Sequence, residues 1–370
     1  MFPIILIAFF SLIILMVIHE LGHLIAAKRF GIRVDEFGIF FPPRLIAKRF
    51  GETLYSLNLL PFGAFVKIYG EEGEIDDIRS FSKKPIWQRS LIILAGVVSF
   101  WVVAVLLLSI VMGLGFPVAI SDETNEGLKD PRVQITAIAK GSPAELAGIR
   151  LGDTIKEFSI LNDPAFESLA GKQFSINKVK ELQGLIEQYK GQEITLTVER
   201  GKEVLNLSLI PRIDPPQGEG AMGVALVRTA IKDYPWYLAP LEGLKRTFEL
   251  TWAIINGLGQ ILGNFILGKG IPKGVELMGP VGIVSLVAQV SQLGIVYFLQ
   301  FIALLSIYLA IFNILPIPTL DGGKLVFLGI EAIRKKPVSQ KIEQNVTAFF
   351  FTLLVLLMIW VTIKDIISFF

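Results

Sequence analysis

No cysteine occurs anywhere in the 370 residues. That absence removes disulfide frameworks, thiolate zinc sites, iron–sulfur clusters and cysteine nucleophiles at once, while saying nothing about redox compartment. Histidine is nearly missing too: there are two, so a metal site built on imidazole must complete its shell with carboxylate or water. Charge is sparse, with Asp, Glu, Lys and Arg making up 18% of the chain against about 25% in an average soluble domain. The formal net charge of +2 is too small to argue for a nucleic-acid partner. What is plentiful is apolar: 52% of residues are hydrophobic and the mean hydropathy is +0.61. That excess needs a non-aqueous home, so the chain reads as a membrane protein with one soluble insert.

A bilayer core of about 30 Å takes about 20 helical residues to cross, and four uncharged runs qualify. Met1 to Ile18 continues to Ala27, interrupted only by His19, Glu20 and His23. Ser90 to Ile120 is the second. Leu277 to Leu320 is too long for one span, and Gly279-Pro280 and Gln289 to Gly294 break it into a front piece and a helix over 295–315. Val346 to Ile363 is the fourth. A cleavable signal peptide is the alternative for the first run, but it has no basic leading region. Lys28, Arg29, Arg33, Arg44, Lys48, Arg49, Lys83, Lys84 and Arg89 lie between runs one and two, and Lys324, Arg334, Lys335, Lys336 and Lys341 between three and four. Basic residues are retained on the cytoplasmic side, which puts both loops there and the long insert outside. The acidic cluster Glu71, Glu72, Glu74, Asp76 and Asp77 opposes this only weakly.

Ionisable groups inside a span are costly and mark function. His19-Glu20-Leu21-Gly22-His23 sets its imidazoles four residues apart on one helical face, where both reach a single metal ion. Neutral imidazole suits Zn²⁺, and a catalytic zinc keeps three protein ligands and one open position. Glu20, rotated off the ligand face, is then the general base and proton donor. With no third histidine and no cysteine, the remaining ligand is Asp, Glu or water. Asp321 is the best-placed carboxylate: it closes the third run inside Asn313-Ile-Leu-Pro316-Ile-Pro318-Thr-Leu-Asp321-Gly322. The two prolines free backbone groups that lipid could not satisfy, so this stretch should line a protein cavity. The topology brings Asp321 and the histidines to one depth, at the inner ends of their spans.

These residues resemble the site-2 protease family of intramembrane zinc metalloproteases, peptidase family M50, and most of all its bacterial RseP-type branch. The family pairs H-E-x-x-H in the first helix with N-x-x-P-x-P-x-L-D-G in the third, complete here as His19 to His23 and Asn313 to Gly322. Pro61-Phe-Gly-Ala-Phe-Val-Lys67, Lys84-Pro-Ile-Trp-Gln-Arg89 and Gly279-Pro-Val-Gly-Ile283 are similar too, so the likeness covers nearly the whole chain. It implies zinc on His19, His23 and Asp321, Glu20 as base, and Asn313 near the metal to bind or orient substrate backbone, with Pro316 and Pro318 beside it. Two positions depart. The second span reads Ala95-Gly96-Val97-Val98-Ser99-Phe100 where the family often has Ala-Gly-Pro and then asparagine, and Lys324 stands where some relatives have histidine.

A protease needs its substrate extended. Thr53 to Leu59 and Gly63 to Tyr69 read as a hairpin around Leu60-Pro61-Phe62-Gly63, whose edge at Gly63, Phe65 and Val66 would take a substrate by strand addition. In the insert, Gly141 to Asp153, a helix over Asn177 to Gln188, and strands at Glu193 to Arg200 and Glu203 to Ile210 look like a single PDZ domain of the bacterial protease type, framing a groove for a peptide end or ectodomain stub. Longer relatives carry two. Pro235 to Gly268 reads as an amphipathic interfacial helix, with a fifth span as the alternative.

The expected fold is therefore a polytopic α-helical membrane protein with four transmembrane helices, an inserted extracytoplasmic α+β PDZ domain and a membrane-associated β-hairpin. Its segments are 1–120 (spans one and two, with the hairpin at about 53–70), 121–230 (PDZ), 231–276 (interfacial helix, touching membrane lipid) and 277–370 (spans three and four). The resemblance implies a zinc endopeptidase of the bacterial cytoplasmic membrane. It would cut single-span proteins, anti-sigma factors or signal-peptide remnants, near the cytoplasmic face. The rival readings are a non-catalytic PDZ-bearing membrane adaptor and a metal transporter; a transport site belongs nearer the bilayer midplane.

Overall fold

The computed structural model describes residues 2–71, 73, 75–124, 129–160, 172–201, 203–270 and 279–368. Met1, Glu72, Glu74, Leu277 and the end of the 231–276 segment lie outside the described residues, as do 125–128, 161–171 and 202 within the insert. In chain order the elements are α1 (Phe2–Arg29), β1 (Val34–Phe50), β2 (Thr53–Ile68), a 3-10 turn at Phe81–Lys83 and α2 (Ile86–Leu114). Then come β3 (Phe116–Ala119), β4 (Lys129–Ile138), α3 (Pro143–Leu146), β5 (Thr154–Ile160), β6 (Lys172–Ser175), α4 (Val179–Gln188), β7 (Ile194–Arg200), β8 (Glu203–Leu209) and β9 (Val224–Lys232). Five helices follow: α5 (Ala239–Ile266), α6 (Pro280–Gln292), α7 (Ile295–Asn313), α8 (Asp321–Arg334) and α9 (Gln340–Ser368). The chain divides into two compact units, one of Met1–Ile110, Pro240–Ala288 and Leu299–Phe370, the other of Val111–Ala239 and Gln289–Phe298.

In the first unit, long uncharged runs become helices because only an internally hydrogen-bonded backbone is tolerated in lipid. Among the described residues, four helices are long and apolar enough to cross a membrane: Phe9–Arg29, Ile86–Leu114, Ile295–Asn313 and Gln340–Ile367. Lys28 and Arg29 occupy the last turn of α1, where cations complement the helix dipole, and Gly31 at φ +69° ends it. Leu24 and Ala27 of α1, Phe37 and Ile68 of the strands, Ile92 and Ile93 of α2 and Leu328 of α8 form one buried cluster. Where these side chains leave lipid rather than water, close packing and not the hydrophobic effect holds them together.

The strand pair differs from the expected hairpin. Residues 53–59 and 63–69 do not pair with each other; both pair with β1. Phe37 lies opposite Val66 on one side and Tyr55 on the other, and Ile39 opposite Ala64 and Leu57, while Ile46 and Lys48 turn back to meet Leu57 and Tyr55. Two bent strands thus make four rungs, with 34–39 in the middle. Gly63, at φ +113°, lets β2 bend after Pro61, a conformation that side chains with a β-carbon avoid.

Helix α5 runs lengthwise beside α2 and antiparallel to it. A β-carbon on Gly243 would collide with Ser109, and eight residues on, Thr251 accepts a hydrogen bond from Trp101 Nε1 at 3.2 Å. Leu250, Ile254 and Leu258 pack on Ala104, Ile307 and Ile311. At the front of α6, the Asp365 carboxylate of α9 accepts from Gly279 N (2.9 Å) and Gly282 N (2.8 Å).

The second unit is built on a seven-stranded antiparallel sheet in the order β3-β9-β4-β5-β7-β8, with β6 on β5. Its core includes Ile135, Ile155, Phe158, Leu182, Ile194 and Leu196. Strands β7 and β8 and the amphipathic α4 match the two strands and the helix read from sequence; β3, β4, β5, β6 and β9 were not foreseen. Ser142 caps α3 by accepting from Glu145 N. Asp153, fully buried, is bound by Arg200 through both carboxylate oxygens (2.8 and 2.7 Å) and by Arg150 N. Asp122 accepts from Val179 N and Lys180 N at the head of α4, and Arg228 holds the carbonyls of Ser121, Asp122 and Thr124.

Candidate metal centre

Three donors meet in the first unit. His19 Nε2, His23 Nε2 and Asp321 Oδ2 stand 3.3 Å from one another on every side of a triangle, and all three residues are buried. Zinc bonds of about 2.0–2.1 Å at tetrahedral angles require donors about 3.3 Å apart. Asp321 Oδ2 is buried without a hydrogen-bond donor, a costly state for a carboxylate that a cation at the centre of the triangle would relieve. The residues therefore fit a tetrahedral zinc.

Each corner is fixed by its surroundings. His23 Nδ1 donates to the carbonyl of Ile92 at 2.9 Å, which leaves the Nε2 lone pair facing the triangle. His19 stacks on Phe100, with ring centroids 4.7 Å apart and planes at 12°. Gly96 makes room: a β-carbon there would overlap the His23 imidazole. Asp321 is the first residue of α8 because Pro316 and Pro318 end α7 and a turn over 314–320 follows. Gly322 and Gly323 let the helix start against that turn, since a β-carbon on either would strike the backbone of residues 314–318. Lys324, one turn on, pairs with Glu71, whose carboxylate holds the ammonium above its ordinary range.

The other sequence candidates sit around this centre in different ways. Glu20 follows His19 on α1, partly buried. Asn313 is not drawn into the triangle; its Nδ2 donates to Leu309 O at 2.9 Å. Pro316 is exposed and Pro318 partly so, with the Pro318 carbonyl accepting from Thr347. A β-carbon on Gly63 would lie 3.8 Å from Met16 Cε, so β2 passes α1 one turn before His19. Phe65 stacks on Phe41, and Val66 packs on the cluster of Leu24 and Ile92. The roles of Gly96, Phe100 and the Ile92 carbonyl escaped the sequence reading, although Gly96 was a signal as a glycine in the middle of an apolar span.

Comparison with known proteins decides the family. The model for peptidase family M50 matches residues 7–357. The chain belongs to peptidase family M50. A Clostridium perfringens protein provisionally named a zinc metalloprotease is 33% identical over 98% of this chain and 97% of its own. Zinc metalloprotease RasP of Geobacillus kaustophilus is 29% identical over 95% of each chain, and the regulator of sigma-W protease RasP of Bacillus subtilis is 27% identical over 94% of each. The M50 chain is thus a zinc metalloprotease of the site-2 kind in a multi-pass membrane protein, which sets aside the adaptor and transporter readings.

Proposed function

We propose that His19, His23 and Asp321 are the zinc ligands, and Glu20 the general base, of an endopeptidase that cuts single-span membrane proteins within their apolar segment. The observation that carries this is the equal 3.3 Å spacing of three buried donors. Zinc held there would polarise the scissile carbonyl and strengthen water as a nucleophile at neutral pH. Glu20 takes the proton from the attacking water and returns it to the departing amide nitrogen. The Ile92 carbonyl and the Phe100 ring keep the imidazoles from turning. Asn313 keeps its Oδ1 free for a substrate N–H, with Pro316 and Pro318 shaping the turn beside it. The β1–β2 sheet, through its edge at Gly63, Phe65 and Val66, receives the unwound substrate as an added strand.

In this reading α1, α2, α7 and α9 are the four spans. The basic loops face the cytoplasm of a bacterial cell and the second unit lies outside the cytoplasmic membrane. The segments keep the bounds of the sequence reading, 1–120, 121–230, 231–276 and 277–370, except that α5 of the third packs lengthwise on α2 and α7 instead of lying flat in the membrane interface. The second unit is a single PDZ domain. Its peptide groove runs between α4 and the β9 edge at Val224 and Leu226, while β3 and Asp122 cover the rest of that edge. The groove takes a short peptide end or the stub of a trimmed ectodomain. The name of the Bacillus subtilis relative favours anti-sigma-factor-like substrates, and signal-peptide remnants share the same single-span chemistry.

The test is cleavage of a single-span substrate by the purified chain in liposomes, with product masses read directly. A chelator-sensitive cut inside the apolar segment is expected. Cuts confined to soluble loops would contradict the proposal.

A further inference from the structure

We propose that the buried ion pair between Arg89 and Glu331 is a clamp that holds Asp321 at ligating distance from the two histidines. The inference rests on the ligand assignment above.

Arg89 opens α2 and Glu331 lies 242 residues away on α8. The guanidinium meets both carboxylate oxygens, Nη1 to Oε2 at 3.0 Å and Nη2 to Oε1 at 2.5 Å, and the two side chains are only 10% and 17% exposed. Asp321 heads the same helix ten residues earlier, about 15 Å along its axis. Arg89, Ile92 and Gly96 are spaced i, i+3, i+7 and so share one face of α2. That face performs three tasks. Arg89 grips the helix that carries Asp321, the Ile92 carbonyl orients His23, and Gly96 admits the His23 ring. Both halves of the triangle are thereby measured from one rigid stretch of backbone.

Stability alone does not account for such a pair. Two charges withdrawn from water gain little net free energy, and apolar residues of similar volume serve as well or better. A bidentate guanidinium–carboxylate fork fixes direction and distance, which an apolar contact does not. The remaining anchors of α8 are less directional: Gly322 and Gly323 rest on the turn that precedes them in the chain, Leu328 joins the apolar cluster, and Lys324 meets Glu71 through a half-exposed ammonium.

The experiment is a cobalt(II) titration of the detergent-solubilised full chain, following the visible d–d band. The double variant Arg89→Met/Glu331→Leu removes both charges together, so no unpaired charge is left buried. It should unfold at a temperature close to wild type, yet bind cobalt about ten- to a hundredfold more weakly and with a shifted band. Arg89→Lys, which keeps the charge and loses the fork, should fall between; if the double variant does not fold, Arg89→Lys decides. Wild-type affinity together with a wild-type band in these variants overturns the clamp. Asp321→Ala runs alongside. If it binds cobalt like wild type, the ligand assignment is what fails; if it loses binding while the clamp variants do not, the clamp alone is wrong.

Discussion

The imidazole of His23 lies against Gly96, in space that any β-carbon at position 96 would fill. A glycine in the middle of an apolar helix lowers its stability by about 1 kcal/mol relative to alanine, so its presence there is explained by what it admits. Gly96→Ala should push α2 from α1 or turn the ring away. Zinc content at a fixed low concentration of the free ion should fall by about tenfold or more, with the helical circular dichroism unchanged. Full zinc retention would mean that His23 is not held where a ligand must be.

Glu20 follows His19 on α1, and the proposed mechanism gives it the proton role. Glu20→Gln keeps the size of the side chain and removes its basicity. Zinc stoichiometry should match wild type while cleavage of a single-span substrate slows by about 10²–10⁴-fold. An unchanged rate would assign proton transfer to another group.

The second unit depends on Asp153, which is fully buried and bound by Arg200; that hydrogen bond raises the guanidinium above its ordinary range. Arg200→Met leaves the carboxylate without its partner, which costs about 3–5 kcal/mol. Hydrogen exchange should quicken across β5 and β7 and leave α1 and α2 protected. Uniform protection in both units would show that the pair adds nothing.

Asp122 titrates below the ordinary carboxylate range: burial pushes it up, but the N–H groups of Lys180 and Val179 and the nearby Arg228 pull it down further. A carboxyl depressed in the folded state adds stability above its unfolded value of about 3.9 and loses it as pH falls through the folded value. Exchange at the head of α4 should therefore rise as pH drops below about 4, measured against the intrinsic rate. Asp122→Asn should remove that acid dependence; if it persists, another group caps the helix.

Orientation is testable because the chain has no cysteine. Gln183→Cys on exposed α4 should react with an impermeant maleimide added outside intact cells, and Lys336→Cys only after the membrane is opened. The reverse pattern would invert the topology.

Much of this was legible in the residues. That His19, His23 and Asp321 would come together was readable: two histidines four apart and no cysteine left Asp, Glu or water for a third donor, and the end of the third apolar run pointed to Asp321. The four apolar runs were plain for the same reason that they fold, since uncharged stretches of that length have one tolerable backbone conformation in lipid. The strand pairing was not legible. Residues 34–50 contain Pro42-Pro43 and three basic side chains, which hid a strand that serves as partner twice. The course of α5 beside α2 was hidden as well, because its stripe of Leu241, Phe248 and Trp252 stays exposed and suits an interface as readily as a helix packed lengthwise. Gly96 and Phe100 were visible as residues of the second span, but their roles were not, because those roles exist only once two helices meet.

X-ray absorption at the zinc edge of the purified protein tests the account most directly. One zinc per chain is expected, bound at about 2.0–2.1 Å by two imidazole nitrogens and a carboxylate oxygen, and Asp321→Ala should lose the carboxylate and most of the metal. A zinc shell that lacks the imidazole pair, or one left intact by Asp321→Ala, would contradict it.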